Sequence, residues 1–306
     1  MGKVLHKALR SLDGFSIAAA RVLFAHGPKA AREVISETLH AAAAPVQSHA
    51  PTQYHTADVF DLGRAFSVEE NLTFDGGSWV DGCTAPHERF LLAQLVRFFK
   101  PKTLLEVGTY RGATTRLLLD HLPSQAKLYT IDLPPNYELA NVQAASDQHL
   151  ILNRDVGVEY RGHPKAQSVI QIFGNTFDPS TWQQVPDGID FAFIDASHTY
   201  EAVRNDTERV RRKSAAGAVC VWHDYYETDP RNPGEYGVGK YVREQMSVRD
   251  DVLIVLGTCL AMSIPVPTLL EVEKRISSFF PSGNYSARFP QGAFPWLRSP
   301  GKQTGL

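Results

Sequence analysis

Cysteine is scarce, at three in 306 residues, and Cys83, Cys220 and Cys259 form no C-x-x-C pair. An odd, widely spaced set argues against a disulfide framework and against structural zinc, and fits a reducing cytoplasm. An excess of either charge is missing too. The 31 basic and 33 acidic residues leave a net charge of -2, which gives no electrostatic case for a nucleic-acid partner. No apolar run approaches the roughly 18 residues that a membrane span needs. A secretory signal is not expected, because His6, Lys7, Arg10 and Asp13 interrupt the apolar region it would require. Internal repeats are absent. With 43% hydrophobic and 21% charged residues, the composition is that of an ordinary globular chain.

The most informative stretch runs from Thr103 to Gly112. Leu104, Leu105 and Val107 predict a short buried strand, broken by Gly108 and followed by Gly112. From Ala113 to Asp120 the apolar spacing is that of a helix. Strand, glycine turn and helix together make a place where backbone approaches a ligand without a Cβ in the way. About twenty residues on, a second strand, Lys127 to Leu133, contains Asp132, a carboxylate well set to accept hydrogen bonds from ribose hydroxyls. A nucleoside site is therefore expected. The dinucleotide pattern G-x-G-x-x-G is not met, since no glycine lies between Gly108 and Gly112.

In chain order, helices with a buried stripe are expected over residues 4–39, and an Ala-Pro-rich linker follows. Residues 1–45 are read as a helical extension, which could serve homo-oligomer formation. Residues 46–85 are a linker and substrate segment, 86–265 the nucleoside-binding domain and 266–306 a C-terminal extension. The turn-rich stretch 75–86 is either a lid over the ligand or a plain connection. Further strands are expected at 167–173, 188–195, 217–224, 251–257 and 258–264, with helices between most of them. Seven strands alternating with helices imply an α/β fold: a Rossmann-like, mostly parallel sheet covered on both faces. The last two strands have no helix between them, which predicts one antiparallel edge strand.

Glu106-Val-Gly-Thr-Tyr-Arg-Gly112 resembles the E-x-G-x-x-x-G loop of class I S-adenosylmethionine-dependent methyltransferases. Phe193-Ile-Asp-Ala-Ser-His-Thr-Tyr-Glu201 and Val221-Trp-His-Asp-Tyr225 resemble the methyltransferase-24 group, related to catechol and macrolide-sugar O-methyltransferases. The likeness runs from about Pro86 to Ile264. It implies S-adenosylmethionine as cofactor, held by Glu106, Gly108, Thr109, Tyr110 and Gly112, with its ribose on Asp132. The corner Asn175-Thr176-Phe177 stands where this family touches adenine. Asn175 replaces the more frequent Asp there but can still donate and accept, and Phe177 either stacks on the base or belongs to the core.

The expected reaction is O-methylation of a hydroxyl on a small molecule or sugar. Asp195, His198 and His223 are the candidate catalytic residues. Two devices for taking the acceptor proton stay open. One is a divalent cation such as Mg2+ on Asp195 and Asp224; the other is a histidine base, His198 or His223. Relatives hold magnesium with an acidic/amide pair, whereas His223 occupies one place of that pair here, and imidazole is a poor magnesium ligand. The competing readings are a non-catalytic nucleoside-binding module and a dinucleotide-dependent oxidoreductase.

Overall fold

A computed structural model describes residues 55–67, 84–138, 148, 150–151, 154–225, 237–280, 284–288 and 292–298. The expected N-terminal helices, most of the segment 75–86, most of the helix at 138–152 and the segment from Tyr226 to Tyr236 lie outside these residues.

In chain order the elements are β1 (Thr56–Asp58), α1 (Val59–Ala65), α2 (Pro86–Phe99), β2 (Thr103–Val107), α3 (Ala113–His121), β3 (Lys127–Asp132) and β4 (Val169–Phe173). They continue as α4 (Pro179–Gln183), β5 (Ile189–Ile194), α5 (Tyr200–Lys213), β6 (Ser214–Trp222) and α6 (Val238–Val248). The chain then runs through β7 (Val252–Leu256), β8 (Ala261–Ser263), α7 (Val266–Ser278) and α8 (Asn284–Arg288).

The strands form one sheet in the order β1-β7-β8-β6-β5-β2-β3-β4. Two details differ from expectation. The described sheet has eight strands, because β1 pairs parallel with β7. Its three residues are too few to show an alternating pattern. The antiparallel strand is also interior: β8 lies between β6 and β7 and runs against both. A turn of a few residues can only return the chain antiparallel, so β8 pairs with β7 and fills the slot beside β6.

Side chains alternate between two buried faces. Leu105, Val107, Ala192, Ile194, Cys220 and Trp222 join the cluster that Val203, Val210, Tyr241, Val242 and Met246 complete from α5 and α6. The alternate residues Leu104, Phe191, Phe193, Val219 and Val221 are just as buried. They lie on the face of Glu106, whose carboxylate is bonded to Thr115 of α3, and α1, α2, α3 and α7 contact one another in series. Burial on both faces explains why the strands read as continuous apolar runs. Trp222 is fully enclosed and its indole N–H donates to Thr207 Oγ1 at 2.8 Å. Cys220 and Cys259 are free thiols.

Helix α3 ends on His121, which is 8% exposed, and neither of its ring nitrogens has a hydrogen-bond partner among the described residues. Lys165 Nζ caps the same end, donating to the carbonyls of Leu119 at 3.0 Å and Leu122 at 3.2 Å. Burial lowers the His121 pKa to about 4, with Arg97 and Lys165 adding to the effect and Asp120 opposing it. The unfolded chain therefore takes up a proton near pH 6.5 that the folded chain refuses until about pH 4. Stability from this group is complete above pH 6.5 and is lost as the pH falls from 6.5 to about 4. Denaturant titrations of His121→Leu are expected to show a shallower loss across that window than the wild type. Equal slopes would remove His121 from the acid response.

Candidate active site

The expected site residues gather at the carboxyl ends of β2, β3, β4, β5 and β6, where ligands bind in open α/β sheets. The loop after β2 is fastened on both sides. Tyr110 takes a left-handed conformation (φ 47°), and its N–H donates to Asp132 Oδ2 at 2.6 Å. Gly108 has φ +103°, and a Cβ there would stand 1.9 Å from the carbonyl oxygen of Asp195. A Cβ on Gly112 would stand 2.7 Å from the Tyr160 ring and 2.9 Å from Gly157 Cα. The space left by both glycines is thus filled by the protein's own atoms. Glycine is required for strand-end packing before any ligand arrives.

Glu106 and Thr109 point inward. Glu106 is fully buried and its Oε2 accepts from Thr115 and Thr130 hydroxyls, both at 2.6 Å. Burial pushes its carboxyl up to about 8, so the protonated form prevails at neutral pH. The Thr109 hydroxyl bonds Thr130 at 2.7 Å and accepts from Gln171 Nε2 at 3.0 Å.

Asp132 carries a partner that no sequence motif includes. Arg154 Nη2 lies 3.3 Å from Asp132 Oδ1 and donates to the Leu133 carbonyl at 2.8 Å. The two side chains are 5% and 9% exposed. Burial pushes the Asp132 carboxyl up, while Arg154 and neighbouring backbone N–H groups pull it down. At the end of β4, Asn175 Oδ1 accepts from Phe177 N and its amide donates to the Tyr137 hydroxyl, both at 2.9 Å. The Thr176 carbonyl is held by the side chains of Trp182 and Asn205. Phe177 is 44% exposed, so its ring is not core.

The second group converges beyond β5 and β6. Asp195 N donates to the Val107 carbonyl, which sets Asp195 beside the glycine turn. His223 Nδ1 lies 3.3 Å from Asp195 Oδ1 and 2.9 Å from Asp224 Oδ1. His223 Nε2 lies 3.0 Å from Glu88 Oε2. A ring with both nitrogens against carboxylates donates from both. Burial alone would lower the His223 pKa, but Asp224, Asp195 and Glu88 outweigh it and hold it well above the usual value. Asp224 adopts φ 60°, a left-handed conformation rare for a residue with a Cβ. Its Oδ2 lies 2.5 Å from His198 Nε2. His198 is anchored in turn by Gly237, whose N–H donates to the His198 carbonyl. A Cβ on Gly237 would collide with Tyr200 at 2.0 Å.

Asp195, His198 and Asp224 each offer one ligand atom, and these atoms lie within 4.8 Å of one another. One imidazole nitrogen and two carboxylate oxygens fit a divalent cation. That donor set suits a transition ion such as Mn2+ better than Mg2+.

Residues 105–225 match the methyltransferase-24 family, described as a methyltransferase domain. Over those residues the chain carries a methyltransferase domain. This methyltransferase domain runs from β2 to the turn after β6 and holds both groups of residues apart from Glu88 and Gly237. No curated protein matches the chain. Solved structures similar to it include an O-methyltransferase of tomaymycin synthesis from Streptomyces achromogenes in complex with S-adenosylmethionine. Identity there is 21%, the TM-score 0.42, and the match covers 60% of this chain and 80% of that one. An S-adenosylhomocysteine-bound methyltransferase from Podospora anserina is 13% identical with TM-score 0.47, covering 77% and 95%. An O-methyltransferase from Bacillus cereus in complex with S-adenosylhomocysteine is 16% identical with TM-score 0.41, covering 81% and 97%.

The motifs pointed to most of these residues. They missed Arg154, which sits in a polar loop after β3, and Glu88, which stands between His87 and Arg89 in the first turn of α2. Among the described residues, no helix is long and apolar enough to cross a membrane.

Proposed function

We propose that this methyltransferase domain binds S-adenosylmethionine against the loop 108–112, with the cofactor ribose on Asp132. The acceptor is a hydroxyl of a small molecule or sugar, and the setting is the reducing cytoplasm, in keeping with two unbridged thiols. Asp195 orients the acceptor hydroxyl toward the methyl carbon, and the hydroxyl proton passes to His198, whose Nε2 is paired with Asp224. Asn175 and Phe177 flank the adenine. His223 stays protonated between three carboxylates and balances their charge. The alternative to the histidine base is a divalent cation. Asp195, His198 and Asp224 would hold it, and when bound it would supply a lowered pKa for the acceptor hydroxyl in place of proton transfer to His198.

One observation supports this reading above the others. The turn after β2 is bonded through Tyr110 to the acid ending β3 and packed through Gly108 on Asp195 at the end of β5. Cofactor-side and acceptor-side groups therefore flank a single loop, as an in-line transfer over about 3 Å requires. Calorimetry is expected to show S-adenosylmethionine binding and no binding of NAD. With a panel of hydroxyl acceptors, S-adenosylhomocysteine should form, and assays with chelator and with Mn2+ or Mg2+ restored decide the cation's part. Binding of NAD without S-adenosylmethionine would make the domain a dinucleotide site. Cofactor binding with no turnover on any acceptor would make it a binding module.

A further inference from the structure

Glu88 stands in the first turn of α2, outside every motif that marks the site, and is 2% exposed. Its Oε2 accepts from Ala85 N at 2.8 Å and lies 3.0 Å from His223 Nε2. Its Oε1 accepts from Cys259 N at 2.5 Å, in the turn between β7 and β8. The bond to Ala85 is a helix cap, a modest contribution that an exposed carboxylate supplies equally well. Withdrawing a carboxylate from water is strongly unfavourable unless a charge compensates it. Capping does not account for burial this deep; the His223 ring does. Burial pushes the Glu88 carboxyl up, yet His223, together with His87 and the Cys259 amide, holds it below the ordinary carboxylate range.

We propose that Glu88 is a positioning residue for methyl transfer: it clamps Nε2 of His223, so that Nδ1 is the nitrogen presented to Asp195 and Asp224. That role rests on the methyl-transfer reading above. An imidazole has two broad, nearly equivalent orientations about χ2. A flip would exchange Nδ1 with Cδ2 and Nε2 with Cε1, setting C–H groups against carboxylates on both sides. With Glu88 gone, among the described residues only Asp195 and Asp224 at Nδ1 oppose the flip, and the Nε2 end of the ring loses its anchor. The same carboxylate ties His223 to the entry of α2 and to the β7–β8 turn, so one side chain aligns three segments behind the reacting groups.

The test uses the full-length protein with 15N-labelled histidine. A downfield ring N–H signal is expected in the wild type, assigned to His223 by its loss in His223→Asn. Glu88→Gln, nearly the same shape without the charge, should move that signal. It should also lower kcat roughly 100-fold, the scale of a small misplacement of reacting groups, with S-adenosylmethionine affinity unchanged by calorimetry. A signal that stays put in Glu88→Gln overturns the clamp, and so does its absence from the wild type, which needs no variant to fold. A moved signal with wild-type kcat overturns the positioning role, as does a fall in kcat matched by an equal loss of cofactor affinity. Failure of the wild type to bind S-adenosylmethionine would sink the methyl-transfer reading instead, and the ring signal would still judge the clamp.

Discussion

Replacing Asp195 with alanine is expected to lower turnover by about three orders of magnitude while S-adenosylmethionine binds as before. The magnitude follows from what one pre-positioned polar group at the reacting atoms contributes, roughly 10²–10³-fold. Cofactor binding should survive, because the part of Asp195 that meets the glycine turn is its backbone, whose carbonyl oxygen sits against Gly108. The fold should survive as well. Removing one carboxylate from His223 leaves Asp224 at 2.9 Å and Glu88 at 3.0 Å to hold the ring. Single-turnover rates and calorimetry on the same preparation check both halves. Normal turnover would exclude Asp195 from the reacting centre, and lost cofactor affinity would place it on the nucleoside side.

Asp132→Ala should act on the opposite ligand. A carboxylate accepting from ribose hydroxyls contributes about 1.5–3 kcal/mol per charged hydrogen bond, so affinity for S-adenosylmethionine should fall at least roughly 100-fold. This variant also strips Arg154 of its partner, and an uncompensated buried guanidinium costs stability, about 3–5 kcal/mol when such pairs are broken. A low melting temperature could then masquerade as weak binding. The double variant Asp132→Asn/Arg154→Met separates the two effects. It removes both charges, keeps an oxygen for the Tyr110 N–H, and should regain much of the stability while affinity stays low. Wild-type affinity in the double variant would show that the ribose is held elsewhere.

Most of the fold could be read from the sequence because burial on both faces writes strands as short apolar runs, as in Leu104–Val107 and Ile189–Ile194. The position of β8 could not, since chain order shows that two strands adjoin but not which neighbour the second one takes. Thr56–Asp58 was too brief to register. At the site, motifs located the residues that end strands. They said nothing of side chains arriving from elsewhere, and both misses, Arg154 and Glu88, are of that kind: buried charges whose partners lie 22 and 135 positions away. Glycine was correctly flagged at 108 and 112, but for the wrong reason. The reading was clearance for a ligand, whereas the structure fills that clearance with the Asp195 carbonyl and the Tyr160 ring.

The contact between Gly108 and the Asp195 carbonyl also limits how such a protein can be re-engineered. An acceptor pocket transplanted from another enzyme together with the end of β5 would have to bring along a compatible glycine bend. A bend grafted without its matching strand end would meet a foreign backbone at bonding distance. Donor and recipient halves must be exchanged together.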